Sequence, residues 1–326
     1  MSLISPLKRV ARSAIAAAHR ASGVLDAPFY RNTRLPQWSP TFVLGAPRSG
    51  TTLLYQVLTS AFRFAYFPNV ADQFYQCPIR MTRLTLPDQF HFTSTFESRY
   101  GREQGRLAPS EGGNVWNRWF PHENREGFNF TPANFLSEGD LGRIRTTIAC
   151  FEDTFSAPFI SKNVKMGVRL PALKALFPDA NYCYIQRNPA DVALSLLLYR
   201  RKSGKSWWSA MPREIEQLKS LSDLEQVVGQ VYYLEQNIEE GLSDLPGERV
   251  LWVDYRDLCR NPRAFPAQLE EKFPLLRDFR VENSDGIPAA FKISHPRTEG
   301  YVSAAELAQL KQLVAARFPN SRIEDV

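Results

Sequence analysis

Apolar positions recur along this chain in two rhythms, short unbroken runs and stretches spaced three and four apart. The run Phe42 to Leu44 enters a tight Gly45-Ala-Pro-Arg-Ser-Gly50 turn. Beyond it, Leu53, Leu54, Val57, Leu58, Ala61 and Phe62 fall at helical spacing. The pattern predicts a strand near 41–45 and a helix near 51–62. Residues 66–150 then break the rhythm. They are rich in aromatics, Gly, Pro and Asn, and read as one long irregular insertion suited to a lid or a substrate-binding region. Alternation resumes with the apolar run Phe159-Ile-Ser161, a short helix from Pro171 to Phe177, and a strand from Asn181 to Gln186. Asn188-Pro189-Ala190-Asp191 reads as a helix start, with Asn as cap and Pro at the first helical position, for a helix to about Arg201. A long helix is predicted from Leu221 to about Gly241, a strand from Arg249 to Asp254, and a helix from Pro262 to Phe273. Ser303 caps a last helix to Phe318, with Glu306 completing a capping box. Strands separated by helices predict an α/β fold. Its expected form is a three-layer sandwich around a parallel sheet, with ligands beyond the carboxyl ends of the strands.

Charge refines this picture. Of the net charge of +6, residues 1–40 supply most: Lys8, Arg9, Arg12, Arg20, Arg31 and Arg34 stand against Asp26 alone. The rest of the chain is nearly neutral, which argues against a nucleic-acid partner. The organisation read from this is a basic N-terminal segment, 1–40, and one domain, 41–326. No run of 18 apolar residues occurs, so no transmembrane helix is predicted. Arg12 and His19-Arg20 bracket the short Ala14 to Ala18 run, which makes a poor signal-peptide core. Residues 3–20 suit either a solvated helix or a basic amphipathic helix at a membrane surface. The expected location is the cytoplasm, with peripheral contact at the inner membrane face open through that segment. Cys77, Cys150, Cys183 and Cys259 are far apart and form no C-x-x-C pair. They read as free thiols of a reducing compartment, with no zinc site.

The candidate chemistry begins in the Gly45–Gly50 turn. A strand, a glycine-bearing loop and a helix N-terminus together make an anion cradle, because unpaired N–H groups and the positive end of the helix dipole converge. Gly45 and Gly50 have the G-x-x-x-x-G spacing of a P-loop, but Thr51-Thr52 follow where Lys-Ser/Thr is expected. The lysine that reaches the outer phosphates of a nucleoside triphosphate is absent, and Arg48 sits inside the loop. A second constellation is Arg187-Asn-Pro-Ala-Asp-Val-Ala-Leu-Ser195. Arg187 lies just past a predicted strand end and Ser195 two turns into the next helix, so a guanidinium fork and a hydroxyl converge on one phosphate.

Pro47-Arg-Ser-Gly-Thr-Thr-Leu53 resembles the 5′-phosphosulfate loop of sulfotransferases that use 3′-phosphoadenylyl sulfate (PAPS), although many relatives have Lys in place of Arg48. Arg187 and Ser195, eight apart, resemble that family's 3′-phosphate site, and Val168 to Ala180 resembles its preceding helix and Phe-Pro turn. The resemblance implies a P-loop-like fold and PAPS as donor, with no metal required. Its product would be 3′,5′-adenosine bisphosphate, and the acceptor a hydroxyl of a carbohydrate, a lipid-linked glycan or a tyrosyl or phenolic group. It implies cofactor contacts from Pro47, Arg48, Ser49, Gly50, Thr51, Thr52 and Leu53, with backbone N–H groups from Ser49 to Thr52 as donors. Lys162, in Ser161-Lys-Asn163, stands where relatives carry a lysine, and shares with Arg48 the expected role of neutralising the leaving oxygen. Pro109-Ser-Glu-Gly-Gly-Asn-Val-Trp-Asn-Arg-Trp-Phe-Pro121 resembles a segment of bacterial and tyrosylprotein-type sulfotransferases. It makes Glu111 the candidate base, with Trp116, Trp119 and Phe120 expected to desolvate it. Glu97, Glu103, His91 and His122 are its rivals, since cytosolic small-molecule sulfotransferases use a histidine. Val250 to Leu258 resembles the family's Tyr-Glu-Asp-Leu strand end, with Arg256 where an acidic residue is common. In the loop His295 to Tyr301, Arg297 and Gly300 are candidates to cover the nucleotide. Two other classes remain at this point: a P-loop small-molecule kinase, and a non-catalytic nucleotide-binding protein docked on a membrane.

Overall fold

The computed structural model describes residues 21–88, 90–97, 103–120, 130–204, 207, 209–282, 286–298 and 300–319. The segment 3–20, His122 and Tyr100 lie outside them. Four parallel strands form the sheet in the order β2-β1-β3-β4: β1 Thr41–Leu44, β2 Ile160–Lys162, β3 Asn181–Gln186 and β4 Val250–Asp254. Strand β1 is followed by a neighbour on one side (β2), and the chain then crosses to pair β3 on the other. The β1/β3 boundary is therefore the topological switch point, where α/β sheets bind ligands.

Alternation of side chains across β1 and β3 divides the core into two layers. Phe42, Leu44, Tyr182 and Tyr184 face a layer that contains Trp116, Ile148, Phe151, Leu173 and Ile238. Val43, Cys183 and Ile185 face the other, with Leu54, Leu58, Tyr255, Leu258 and Leu269. The helices longer than six residues that pack around the sheet are α1 Thr51–Ala61, α2 Glu138–Phe155, α3 Leu170–Leu176, α4 Pro189–Ser203, α5 Asp223–Leu242 and α6 Phe265–Lys272, and the short helices Gly113–Trp116 and Tyr255–Arg260 supply Trp116, Tyr255 and Leu258. A last helix, α7 Ala304–Arg317, closes a third apolar cluster with α4 and α5 through Leu310 and Val314. The expected α/β sandwich is thus observed. All four cysteines are free and buried, and among the described residues no His, Cys, Asp and Glu group suits a metal. No described helix is long and apolar enough to cross a membrane.

Two local readings change. The stretch 66–150 is less irregular than expected, since it holds α2 and the short helices Asn69–Gln73, Pro78–Thr85 and Gly113–Trp116. Ser137 caps α2 by accepting from the Asp140 N–H. The helix expected from Pro262 to Phe273 is divided into a 3-10 turn, Pro262–Ala264, and α6.

One buried group in α5 makes stability depend on pH. Glu235 is 8% exposed, and its Oε1 has no hydrogen-bond partner. Burial pushes its pKa from 4.5 up to about 8, with Glu239 adding repulsion. The folded chain then retains a proton that the unfolded chain releases above pH 4.5, so stability falls as pH rises from 4.5 toward 8. Glu235→Gln mimics the neutral form. It is expected to raise stability at pH 8 by about 2–3 kcal/mol and to leave it nearly unchanged at pH 4.5. Urea unfolding at the two pH values measures the difference, and an equal effect at both would remove Glu235 as its source.

Candidate functional site

The turn after β1 puts its donors at the sheet's switch point. Gly50 caps α1 in the left-handed region (φ 102), and no side chain caps the helix. A Cβ at Gly50 would overlap the Tyr255 ring, so only glycine lets the loop pass. The Ser49 N–H is turned to the Ala46 carbonyl at 3.1 Å. The expected row of backbone donors therefore begins at Gly50, and Ser49 offers its hydroxyl, which is buried without a partner. Arg48 also adopts a left-handed backbone (φ 74), a strained conformation for a residue with a side chain.

Arg187 follows β3, and the structure brings it to this loop. Its Nη1 donates to the Arg48 carbonyl at 3.2 Å, while Arg48 Nε donates to Ser195 Oγ at 3.0 Å. The two constellations read separately in the sequence thus form one network. Arg48 turns toward Ser195 in it. Arg187 is further fixed by Asp191 Oδ2 at 3.3 Å, by the Ser294 carbonyl, and by the Tyr255 ring, 4.6 Å from its guanidinium carbon. Arg187 Nε and Asn188 Nδ2 remain buried without partners. The loop before α7 does approach this site, but through Ser294 and His295. The latter's Nδ1 lies 3.3 Å from Asp191. Arg297 is exposed, and among the described residues no contact places it in the network.

A cleft of about 830 Å³ opens over both groups. Its walls include Pro47, Arg48, Gly50 to Leu53, Arg187, Tyr255 and Ser294 on one side, and Glu111, Lys162, Asn163 and Lys165 on the other. Glu111 forms an ion pair with Lys162, which β2 buries to 2% exposure. The Glu111 carbonyl accepts from Asn163 Nδ2 at 3.2 Å. The next residue, Gly112, is left-handed (φ 58), and a Cβ there would overlap Phe67. This close approach fixes where Glu111 emerges.

The other candidate bases stand elsewhere. Glu103 is buried against Ser94, and that burial raises its pKa. Burial lowers the pKa of His91, and neither it nor Glu97, which is exposed, lines the cleft. The tryptophans expected around Glu111 do not line the cleft either. Trp116 is fully buried, with Nε1 donating to Ser161 Oγ at 3.1 Å, and Trp119 packs beside it. Near Glu111 in sequence, the cleft is lined by amides and a hydroxyl, Gln104, Ser110, Asn114 and Asn117. Sequence reasoning missed Tyr255, Asp191, Ser294, His295 and Lys165. A signal existed for Tyr255, which directly follows the strand-end cap Asp254.

Comparison with known proteins bears on the fold and the family. No curated protein matches the chain significantly. Among solved structures, the sulfotransferase STF9 of Mycobacterium avium is similar over 99% of this chain and 88% of its own, at 16% identity and a TM-score of 0.53. Sulfotransferase STF1 of Mycobacterium tuberculosis H37Rv is similar over 91% of this chain and 81% of its own, at 15% identity and a TM-score of 0.48. Mouse sulfotransferase SULT7A1, complexed with PAP, covers 89% of this chain with 88% of its own, at 15% identity and a TM-score of 0.36. A sequence model described as the sulfotransferase family matches residues 40–275, well over half of the chain, and so this protein is a transferase that belongs to the sulfotransferase family.

Proposed function

We propose that this chain transfers a sulfuryl group from PAPS to a hydroxyl of a carbohydrate. The observation that carries the reading is the junction of the two anion sites. Arg48 reaches Ser195, and Arg187 reaches the carbonyl of Arg48. A nucleotide with both 5′ and 3′ anions needs two such sites at one cleft, which ATP does not. The residues fit that donor, since Arg187, which lines the cleft, keeps a buried Nε still lacking a partner. Gly50 to Leu53 would hold the 5′ end, and Arg187 with Ser195 the 3′ phosphate.

When bound, PAPS supplies a sulfuryl group on an anhydride to phosphate, a good leaving group. The protein's part is to position and neutralise. Glu111 takes the proton of the acceptor hydroxyl, and Lys162, already beside it, stabilises charge gathering on the leaving side together with Arg48. Gln104, Ser110, Asn114, Asn117 and Ser209 line the acceptor half. Amides and hydroxyls of this kind suit a polyhydroxylated acceptor better than a phenol, because Trp116, Trp119 and Phe120 are in the core and the aromatic rings that line the cleft, Tyr199 and Tyr255, carry hydroxyls of their own. The basic segment 3–20 would add contact with an anionic membrane surface.

Thermal denaturation tests the donor. Saturating 3′,5′-adenosine bisphosphate is expected to raise Tm by about 5 °C or more, and ATP with Mg²⁺ to do so far less. The reverse preference would assign the cleft to a kinase. Binding without transfer of labelled sulfate to any acceptor would make this a non-catalytic nucleotide-binding protein.

A further inference from the structure

A second cleft, of about 740 Å³, opens beyond the carboxyl ends of β3 and β4. Its walls come from α5, from the residues after β3, from the helix Tyr255–Arg260 and from Phe318-Pro319 after α7. Among the described residues Arg187 alone lines both clefts. Glu235 and Glu239 lie one turn apart on α5 and share the face that forms the wall. Glu235 is 8% exposed, and its Oε1 is buried without a hydrogen-bond partner. Glu239 stands nearer solvent and accepts from Gln186 Nε2 at 3.0 Å.

The charges around this pair do not neutralise it. Arg187 is held by Asp191 and by the carbonyls of Arg48 and Ser294. Arg260 lies 3.9 Å from Asp257, with both side chains mostly exposed, where such a pair is worth little. Asp254 caps its helix by accepting from the N–H groups of Arg256 and Asp257, and Arg256 has an interaction of its own. Arg317 stacks over the Tyr232 ring at 5.4 Å and does not line the cleft. Tyr184, beside the pair on β3, is buried, and burial keeps its phenol protonated. Burial pushes Glu235 up to about 8, with repulsion from Glu239, which burial also raises. Among the described residues no cation opposes either shift.

A desolvated carboxylate without a partner, in the wall of a cleft, is stabilised by a cation that enters. No three described carboxylates converge as a metal ion needs, which favours an organic cation. Carboxylates one helical turn apart are about 5–6 Å from each other at Cβ, close to the separation of two ammonium groups across a four-carbon chain. Tyr232 and Phe318, edge to face with centroids 5.4 Å apart, give the cleft an apolar wall for that chain. We propose that this cleft binds a short aliphatic diamine, with one ammonium against Glu235, the other toward Glu239, and the methylenes along Tyr232 and Phe318. The site is separate from Glu111 and Lys162 and does not depend on the sulfuryl-transfer reading.

Titration calorimetry on the full chain tests it. The probe is 1,4-diaminobutane, with 1,4-butanediol as its uncharged counterpart and inorganic phosphate as the anion that the rim arginines would prefer. The diamine is expected to bind at least about tenfold more tightly than the diol, as for a charge-assisted bond. Only ionised Glu235 pairs with an ammonium, and the amines stay charged over this range. Affinity is therefore expected to rise at least about fivefold from about pH 6.5 to about pH 8.5. At about pH 7 binding draws a proton from Glu235, so the measured heat depends on the buffer's own ionisation heat. Glu235→Gln is expected to weaken diamine binding at least about tenfold and to abolish both the pH dependence and the proton release. Glu239→Gln is expected to weaken binding by less. Urea unfolding checks that Glu235→Gln remains folded, as its expected gain in stability at high pH requires. Equal affinity for diamine and diol, a preference for phosphate, or wild-type affinity in folded Glu235→Gln overturns the proposal. So does diamine binding that ignores pH or takes up a proton.

Discussion

Glu111→Gln is expected to lower sulfuryl-transfer turnover at least about 100-fold and to leave the affinity for 3′,5′-adenosine bisphosphate within about twofold. The change is nearly isosteric. The backbone around it is held independently of its charge, by Asn163 Nδ2 on the Glu111 carbonyl at 3.2 Å and by Ser110 Oγ accepting from the Gly112 N–H at 3.1 Å. What the amide loses is the capacity to accept a proton and to pair with the ammonium of Lys162. Steady-state kinetics, with calorimetry for the nucleotide, separates a lost base from a structural defect, which would lower nucleotide affinity as well. Turnover within a few-fold of wild type would take the base role away from Glu111. Neither His91 nor Glu103 would inherit it, since neither lines the cleft.

How far the sequence reaches is clearest where structure is local. The strand, turn and helix around Gly50, the Asn188 cap and the Ser303–Glu306 capping box depend on residues within one or two turns, and the structure reproduces them. Helix α2 was equally local yet was read as irregular. Leu141, Ile144, Ile148, Phe151 and Phe155 keep helical spacing in it, and Ser137 with Asp140 marks its start. Gly139, Gly142 and the pair Thr146-Thr147 lower helix propensity there and masked the period. The start of α5 slipped for a different reason. Its capping box is Ser222 with Glu225, whereas the apolar Leu221 drew the start two residues before Asp223, the first helical residue.

The site divides in the same way. The loop after β1 and Arg187 are strand-end features with sequence signals of their own. Tyr255, Ser294 and His295 reach them only through tertiary packing, which no spacing records. The tryptophans after Glu111 were misplaced because adjacency in sequence does not fix direction. On the short helix Gly113–Trp116 the indole of Trp116 turns inward to Ser161, while Glu111, before the Gly112 cap, lines the cleft.

Arg187→Ala is expected to weaken binding of 3′,5′-adenosine bisphosphate by about 2–3 kcal/mol, roughly 30- to 150-fold, as a charge-assisted fork to phosphate is lost. The truncation does more than delete a ligand contact. Asp191 is 3% exposed, and among the described residues its other contact of this kind is His295 Nδ1 at 3.3 Å. The carbonyls of Arg48 and Ser294 each lose a donor, and the Tyr255 ring loses its cation. The free protein is therefore expected to lose up to about 3 kcal/mol of stability, the usual effect of breaking a buried ion pair by removing one partner. Arg187→Lys separates these effects. It keeps the charge beside Asp191 and so most of the stability, but a single ammonium cannot serve phosphate, carbonyl and carboxylate together as the guanidinium does. Its nucleotide affinity is expected to fall between wild type and alanine. If calorimetry finds both variants binding the bisphosphate as tightly as wild type, the second anion site lies elsewhere, and the case for a donor phosphorylated at both ends of its ribose falls with it.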